Sequence, residues 1–136
     1  IHHGMFGVSE DTIFTSALDK AKENTFVEDM EKVLKDFGIQ VNMPIKEVVL
    51  SNKSKQFGAA TIIFNDVLAD IAKEYDSSFI ILPSSIHECI AHIDNDPDME
   101  RYAAMVCEVN EKEVAPQEVL SDHAYFYNRE TGGIIW

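Results

Sequence analysis

The sequence predicts an α+β fold: a mostly antiparallel sheet with its helices packed mainly on one face. Three observations lead there. Four stretches repeat apolar residues at the 3.6-residue helical period, and five short β-branched or aromatic runs are set among them. Their order is helix, helix, strand, strand, helix, strand, strand, helix, strand, which lacks the strict βαβ alternation of a parallel sheet. The third is size: 136 residues, 46% of them apolar, suffice for one core, and no stretch is rich enough in Gly, Pro or Ser to divide the chain.

The first helix is expected from Asp11 to Glu23, with Ile13, Phe14, Ala17, Leu18 and Ala21 on one stripe. A second helix follows from Thr25, where Thr25 and Glu28 make a capping box. Val27, Met30, Val33, Leu34 and Phe37 form its stripe, and Gly38 stops it. Glu47–Leu50 and Ala59–Phe64 read as two strands of a long-looped hairpin. Asn65 or Asp66 then caps a third helix with Val67, Leu68, Ile71, Ala72 and Tyr75 facing the sheet. Phe79–Leu82 is apolar without alternation, as in a buried strand, and Pro83 ends its pairing by removing a donor. Cys89–Ile93 gives a further strand. Pro97 opens the last helix, striped by Tyr102, Ala103, Val106 and Val109, and Ala124–Asn128 alternates as the final strand before a turn into Ile134–Trp136.

Charge narrows the partners. Eleven basic against twenty-four acidic residues give a formal −13, which repels phosphate backbones and anionic membranes. Lys46, Lys53 and Lys55 are the best basic cluster, and three turn lysines read as solvation. Residues 94–122 carry nine acids against Arg101 and Lys112, so a basic protein partner, if any, belongs there. No nucleic acid and no membrane is expected, and the longest apolar runs have strand dimensions. Two cysteines without a CxxC spacing read as reduced, buried small hydrophobes in a cytoplasmic protein, with one disulfide between them left open. The opening Ile1-His2-His3-Gly4 reads as a tag remnant or flexible start over residues 1–9, which discounts His2 and His3 and allows a native start at Met5 or upstream.

The segment Ser84-Ser85-Ile86-His87-Glu88-Cys89 holds the candidate chemistry. It is not HExxH, since Ala91 stands where the second histidine is required. His87 and Cys89 share a face of an extended chain and are the weak metal candidates, so no metal and no cofactor is assigned. A hydrolase would use Ser85 as nucleophile, His87 as base and Glu88 or Asp122 as orienter, yet no GxSxG elbow surrounds the serine. The plainer reading has Ser84, Ser85 and His87 closing a post-proline turn through side-chain to backbone hydrogen bonds. Asn110, on the apolar stripe of the last helix, either caps that helix or joins the polar group around His87. Asp94–Glu100 resembles a calcium loop only in its acids, for Met99 and Met105 occupy the Gly and Glu positions. Gly58 is the only glycine between residues 39 and 131, which leaves no glycine-rich phosphate cradle.

The strings FGAATIIFNDVLADIAKEY (57–75), FIILPSSIHECI (79–90), VNEKEVAPQEVLSDHAYFYNRETG (109–132) and ALDKAKENTF (17–26) carry a resemblance. Over nearly the whole chain from about residue 10 it is similar to the C-terminal region of DUF5688, a family of unknown function in Clostridia and related Firmicutes. The resemblance implies that residues 10–136 are one domain at the C-terminal end of a longer bacterial protein. It implies no activity, and Cys89 stands where members often have an aliphatic residue. The expected function is a non-enzymatic protein-interaction or structural module. The alternative is a small-ligand or hydrolytic site in which Ser85, His87, Glu88, Asn110 and Asp122 converge.

Overall fold

In the computed structural model, which describes residues 7–135, the chain builds four α-helices and a six-stranded sheet. The elements run α1 (Glu10–Glu23), β1 (Thr25–Asp29), α2 (Met30–Asp36), β2 (Glu47–Asn52), α3 (Asn65–Glu74), β3 (Phe79–Pro83), β4 (Cys89–Ile93), α4 (Met99–Lys112), β5 (Tyr125–Asn128) and β6 (Gly133–Ile135). The strand order is β1-β2-β4-β3-β5-β6, antiparallel throughout. The fold class is α+β. The expected start at Ile1–Gly4, the Met5 alternative and Trp136 lie outside the described residues.

Two expected elements are replaced. The capping box at Thr25 does not form: Thr25–Asp29 is an edge strand, in register from Thr25 opposite Asn52 to Asp29 opposite Val48. Thr, Phe and Val favour the pleat, and α2 starts later, where the Asp29 carboxylate accepts the Lys32 N–H at 3.1 Å. The Thr25 hydroxyl, read as a cap, is instead a buried side-chain atom without a hydrogen bond.

The second replacement is at Gly58–Ile63, a 3-10 helix rather than a strand. Ala60 and Ile63 are exposed while Gly58, Ala59 and Thr61 are buried, a three-residue rather than two-residue repeat. The place beside β2 that a hairpin partner would occupy belongs to β4, with Leu50 opposite Cys89. Gly58 is held so closely that a Cβ there would lie 2.3 Å from Ser51 Oγ and 2.4 Å from the Asn52 nitrogen. Smaller shifts occur at two caps. Phe64 precedes α3 without a side-chain cap, and α4 begins at Met99 under Asp98, two residues beyond Pro97.

Strand register sorts the core. Val48, Leu50, Cys89, Ala91, Phe79, Ile81 and Tyr127 share one face and pack against Leu68, Ile71 and Ala72 of α3. Phe79 and Tyr127 stack with ring centroids 4.9 Å apart. Next to them α2 lies on the same side, tied where the Tyr75 hydroxyl donates to the Asp29 carboxylate. On the other face Ile80 is buried with Val106 of α4, and Leu82, Met99, Tyr102 and Phe126 complete that cluster. Thus α2 and α3 gather on one face as expected, and α4 covers the opposite one. The run Phe79-Ile80-Ile81, fully buried on both sides of the pleat, needs both covers.

Candidate functional site

The post-proline turn is fixed from three directions. Within it, the His87 N–H donates to Ser85 Oγ at 3.0 Å and the Ser85 N–H donates to the Glu88 carbonyl at 3.1 Å. From the 3-10 segment, the Gly58 N–H donates to the His87 carbonyl at 3.0 Å, which also accepts from Ser51 Oγ at 2.8 Å. From Pro116–Glu118, a second 3-10 turn, the Glu118 carbonyl accepts the Ile86 N–H at 2.8 Å. The backbone donors and acceptors of the turn are thereby spent on structure.

The imidazole is equally committed. Its Nδ1 accepts the Phe57 N–H at 3.0 Å, so the ring proton sits on Nε2, which faces Glu118 Oε1 at 3.4 Å. The Phe57 ring lies 5.3 Å from the imidazole, on a residue whose φ of 54° is left-handed. His87 therefore braces a strained backbone position. The carboxylate beside it is Glu118, neither Glu88 nor Asp122. Glu118 was missed although it sits in a Pro116-Gln117-Glu118 sequence whose proline marks a turn; nothing in the spacing aims that turn at His87.

The five residues expected to converge fall into two groups. Ser85 and His87 belong to the turn. Asn110 and Asp122 meet elsewhere: Asn110 Nδ2 donates to Asp122 Oδ1 at 2.8 Å and to the Ser121 carbonyl at 3.0 Å. That pair ties the C-terminal end of α4 to the strand-leading loop, a role neither alternative for Asn110 named. No hydrogen bond joins the groups among the described residues, and Glu88 contributes its carbonyl to the turn. Cys89 is buried in the core, its thiol pushed up to about 12 by burial and, secondarily, by the Glu88 charge. Its sulfur lies in the core, 4.0 Å from the Ala59 carbonyl. Among the described residues no three of His, Cys, Asp and Glu come together as a metal site. The other cysteine, Cys107, was expected in the core and is exposed instead; both thiols are free.

Among the described residues, concavities also lie away from the turn. The most polar lies between Asp76, Ser78, Asn95, Asn128 and Arg129. Its groups satisfy one another: Arg129 pairs with Asp76 at 2.5 Å, Ser78 Oγ accepts the Arg129 N–H, and Asn95 accepts the Ser78 N–H. A second, of about 190 Å³, is apolar and runs between α4 and the sheet, with Leu82, Ile90, Met105 and Val109 as walls and Glu47, Ser84 and Asn110 at its margin. It continues past Leu82 and Met105 into a third, where Glu108, Arg101, Tyr102 and His92 line the sides. His92 Nδ1 faces Glu47 Oε1 at 3.5 Å.

This groove exists because α4 covers β3 and β5 but leaves that face of β2 and β4 open. Ile90, and Glu47 opposite His92, line the groove from these strands, and all three are only half-buried. Met105 and Val109 are each 40% exposed over it, an unusual position for the stripe of a core helix. The calcium-like acids are accounted for locally: Asp98 caps α4 through the Arg101 N–H and Asp94 accepts the Asp96 N–H. Lys55, from the expected basic cluster, sits 5.1 Å over the Phe26 ring and 3.8 Å from Glu28.

Among the described residues no helix is long and apolar enough to cross a membrane. Neither a curated protein nor a solved structure matches the chain. A family model matches residues 1–129, nearly the whole chain, and through it the chain belongs to the family of unknown function DUF5688.

Proposed function

We propose that the chain is a cytoplasmic protein-interaction module, and that the groove between α4 and the open half of the sheet receives a segment of a partner carrying apolar anchors and basic residues. One observation carries this: Met105 and Val109, exposed, line a concavity together with Leu82 and Ile90, so a concave apolar surface is left uncovered. Acidic groups supply the sign of the partner. Glu47 and Glu108 edge the groove, against Arg101 as the basic residue in its lining. An exposed, unpaired Cys107 suits a reducing compartment.

The small-ligand alternative draws on the same cavity, because Ser84 and Asn110 reach its margin. It loses its base: both ring nitrogens of His87 are engaged, and Asn110 is spent on Asp122 and Ser121.

The test is a methyl-detected NMR titration with two amphipathic peptides, one of leucine and lysine and one of leucine and glutamate. The lysine peptide should shift Leu82, Ile90, Met105 and Val109, and Val109→Asp should abolish the shifts. Equal binding of the acidic peptide, or shifts confined elsewhere, would remove the proposal.

A further inference from the structure

We infer that the polar cavity at one end of the sheet is a binding site for a neutral saccharide of one or two rings. Three connections meet there: Asp76 and Ser78 between α3 and β3, Asn95 between β4 and α4, and Asn128, Arg129 and Glu130 at the end of β5. Phe126 of β5, half-buried against the cluster of Ile80 and Val106, supplies an apolar wall. The volume of about 680 Å³ falls in the range of small-ligand sites. None of these residues belongs to the groove beside α4, so the two sites stand or fall separately.

Unspent donors select the ligand. The bonds within the cavity consume side-chain oxygens and backbone N–H groups. Asn95 Oδ1 accepts the Ser78 N–H at 2.8 Å, and Asn128 Oδ1 accepts the Glu130 N–H at 2.9 Å. Each amide is thereby oriented, with Nδ2 as its remaining end. Ser78 is only 8% exposed and its Oγ accepts the Arg129 N–H at 3.0 Å, which leaves its own proton in need of an acceptor. Among the described residues none of these three donors has one.

Arg129 adds no free charge, being paired with Asp76. With Glu130 beside that pair the lining is acidic, on a chain of formal charge −13, and both disfavour an anion. A cation would leave the three donors unused. Neutral hydroxyl groups match the whole set, since each can accept from an amide or Ser78 and donate to the Asp76 or Glu130 carboxylate. A ring of such hydroxyls also has a C–H face to lay against Phe126.

Amide-detected NMR of the full chain, side-chain Asn groups included, tests this with glucose, galactose, mannose, N-acetylglucosamine and cellobiose, each to about 100 mM. At least one should saturably shift the Asn95 and Asn128 Nδ2 signals and the Phe126 backbone, with Kd on the order of 1–10 mM. Asn95→Asp and Asn128→Asp keep the oxygen that holds the backbone and lose the donor. Each should fold normally and weaken binding about tenfold. Should one of them not fold, the other carries the comparison. Silence from all five sugars, equal shifts from glycerol, or saturation of the same signals by inorganic phosphate at lower concentration would overturn the inference. So would aspartate variants that bind like wild type.

Discussion

Helices α1 and α3 have the same kind of sequence and opposite fates. Each carries an apolar stripe at helical period, acids in its first turn and a lysine in its last. In α3 the stripe meets the sheet, and Leu68, Ile71 and Ala72 are buried. In α1 no residue is buried, and farther along the N-terminal third Phe37, Ile39 and Met43 are exposed as well. Periodicity specifies a face and leaves its partner open. The stripe of α3 finds its partner in the sheet, whereas α1 presents its stripe with no buried residue.

The largest effect should separate the two regions directly. Leu68→Ala removes a side chain with no exposure and should cost about 3 kcal/mol. Phe14→Ala, a larger deletion on α1, should change stability by no more than about 0.5 kcal/mol. Urea denaturation of both decides it, and a comparable loss for Phe14 would mean that α1 is packed against the rest of the chain.

Next is Gly58→Ala. The added methyl would meet Ser51 Oγ and the Asn52 nitrogen, both anchored in or beside β2. A loss of about 2–3 kcal/mol is expected, because the clash falls on backbone and on a side chain already bonded to the His87 carbonyl.

A smaller loss, about 1 kcal/mol, is expected for His87→Phe, which leaves the Phe57 N–H without its acceptor. Nitrogen-detected NMR of the wild type should find His87 as the Nε2–H tautomer. The opposite tautomer would break the bracing role and reopen the ring as a base.

These residues also show what the sequence could tell. Strands β3, β4 and β5, with helices α3 and α4, were legible because buried β-branched runs and long stripes each fit one period. Thr25–Asp29 was not, since a capping-box pattern and a five-residue edge strand share the same letters, and only pairing with β2 decides between them. Gly58–Ile63 misled because its apolar residues suit a strand, while the position beside β2 was filled by β4. For the candidate site, the Ser85 hydrogen bond of the turn was readable from proline and spacing, whereas the His87 ring bonds Phe57 and Glu118 outside it. The Glu118 partner and the Asn110–Asp122 pair were not, because both join segments that only the tertiary fold brings together.

A pH-dependent effect lies at the seam between the two regions, where Tyr75 of the α3 end meets Asp29 at the start of α2. The hydrogen bond from Tyr75 is the main cause holding the Asp29 carboxyl below its ordinary value; burial pushes the other way, and the Lys32 and Glu31 backbone N–H groups reinforce the lowering. A depressed carboxyl contributes stability that is fully present above its unfolded value, near 3.9, and is lost as pH falls through the lower folded value. Tyr75→Phe should therefore cost about 1 kcal/mol at neutral pH, and the difference from wild type should narrow below about pH 4. At the alkaline end the sign reverses. Burial first, and then Asp29, raise the Tyr75 phenol, so above about pH 10 the unfolded chain ionises while Tyr75 stays protonated and the wild type loses stability that the variant does not have to lose. Stability measured against pH for the two proteins should give curves that converge at both ends and stand apart between them. A constant gap across the acid limb would mean that the hydroxyl acts through packing alone, and the seam would then be held by α3's apolar contacts rather than by this bond.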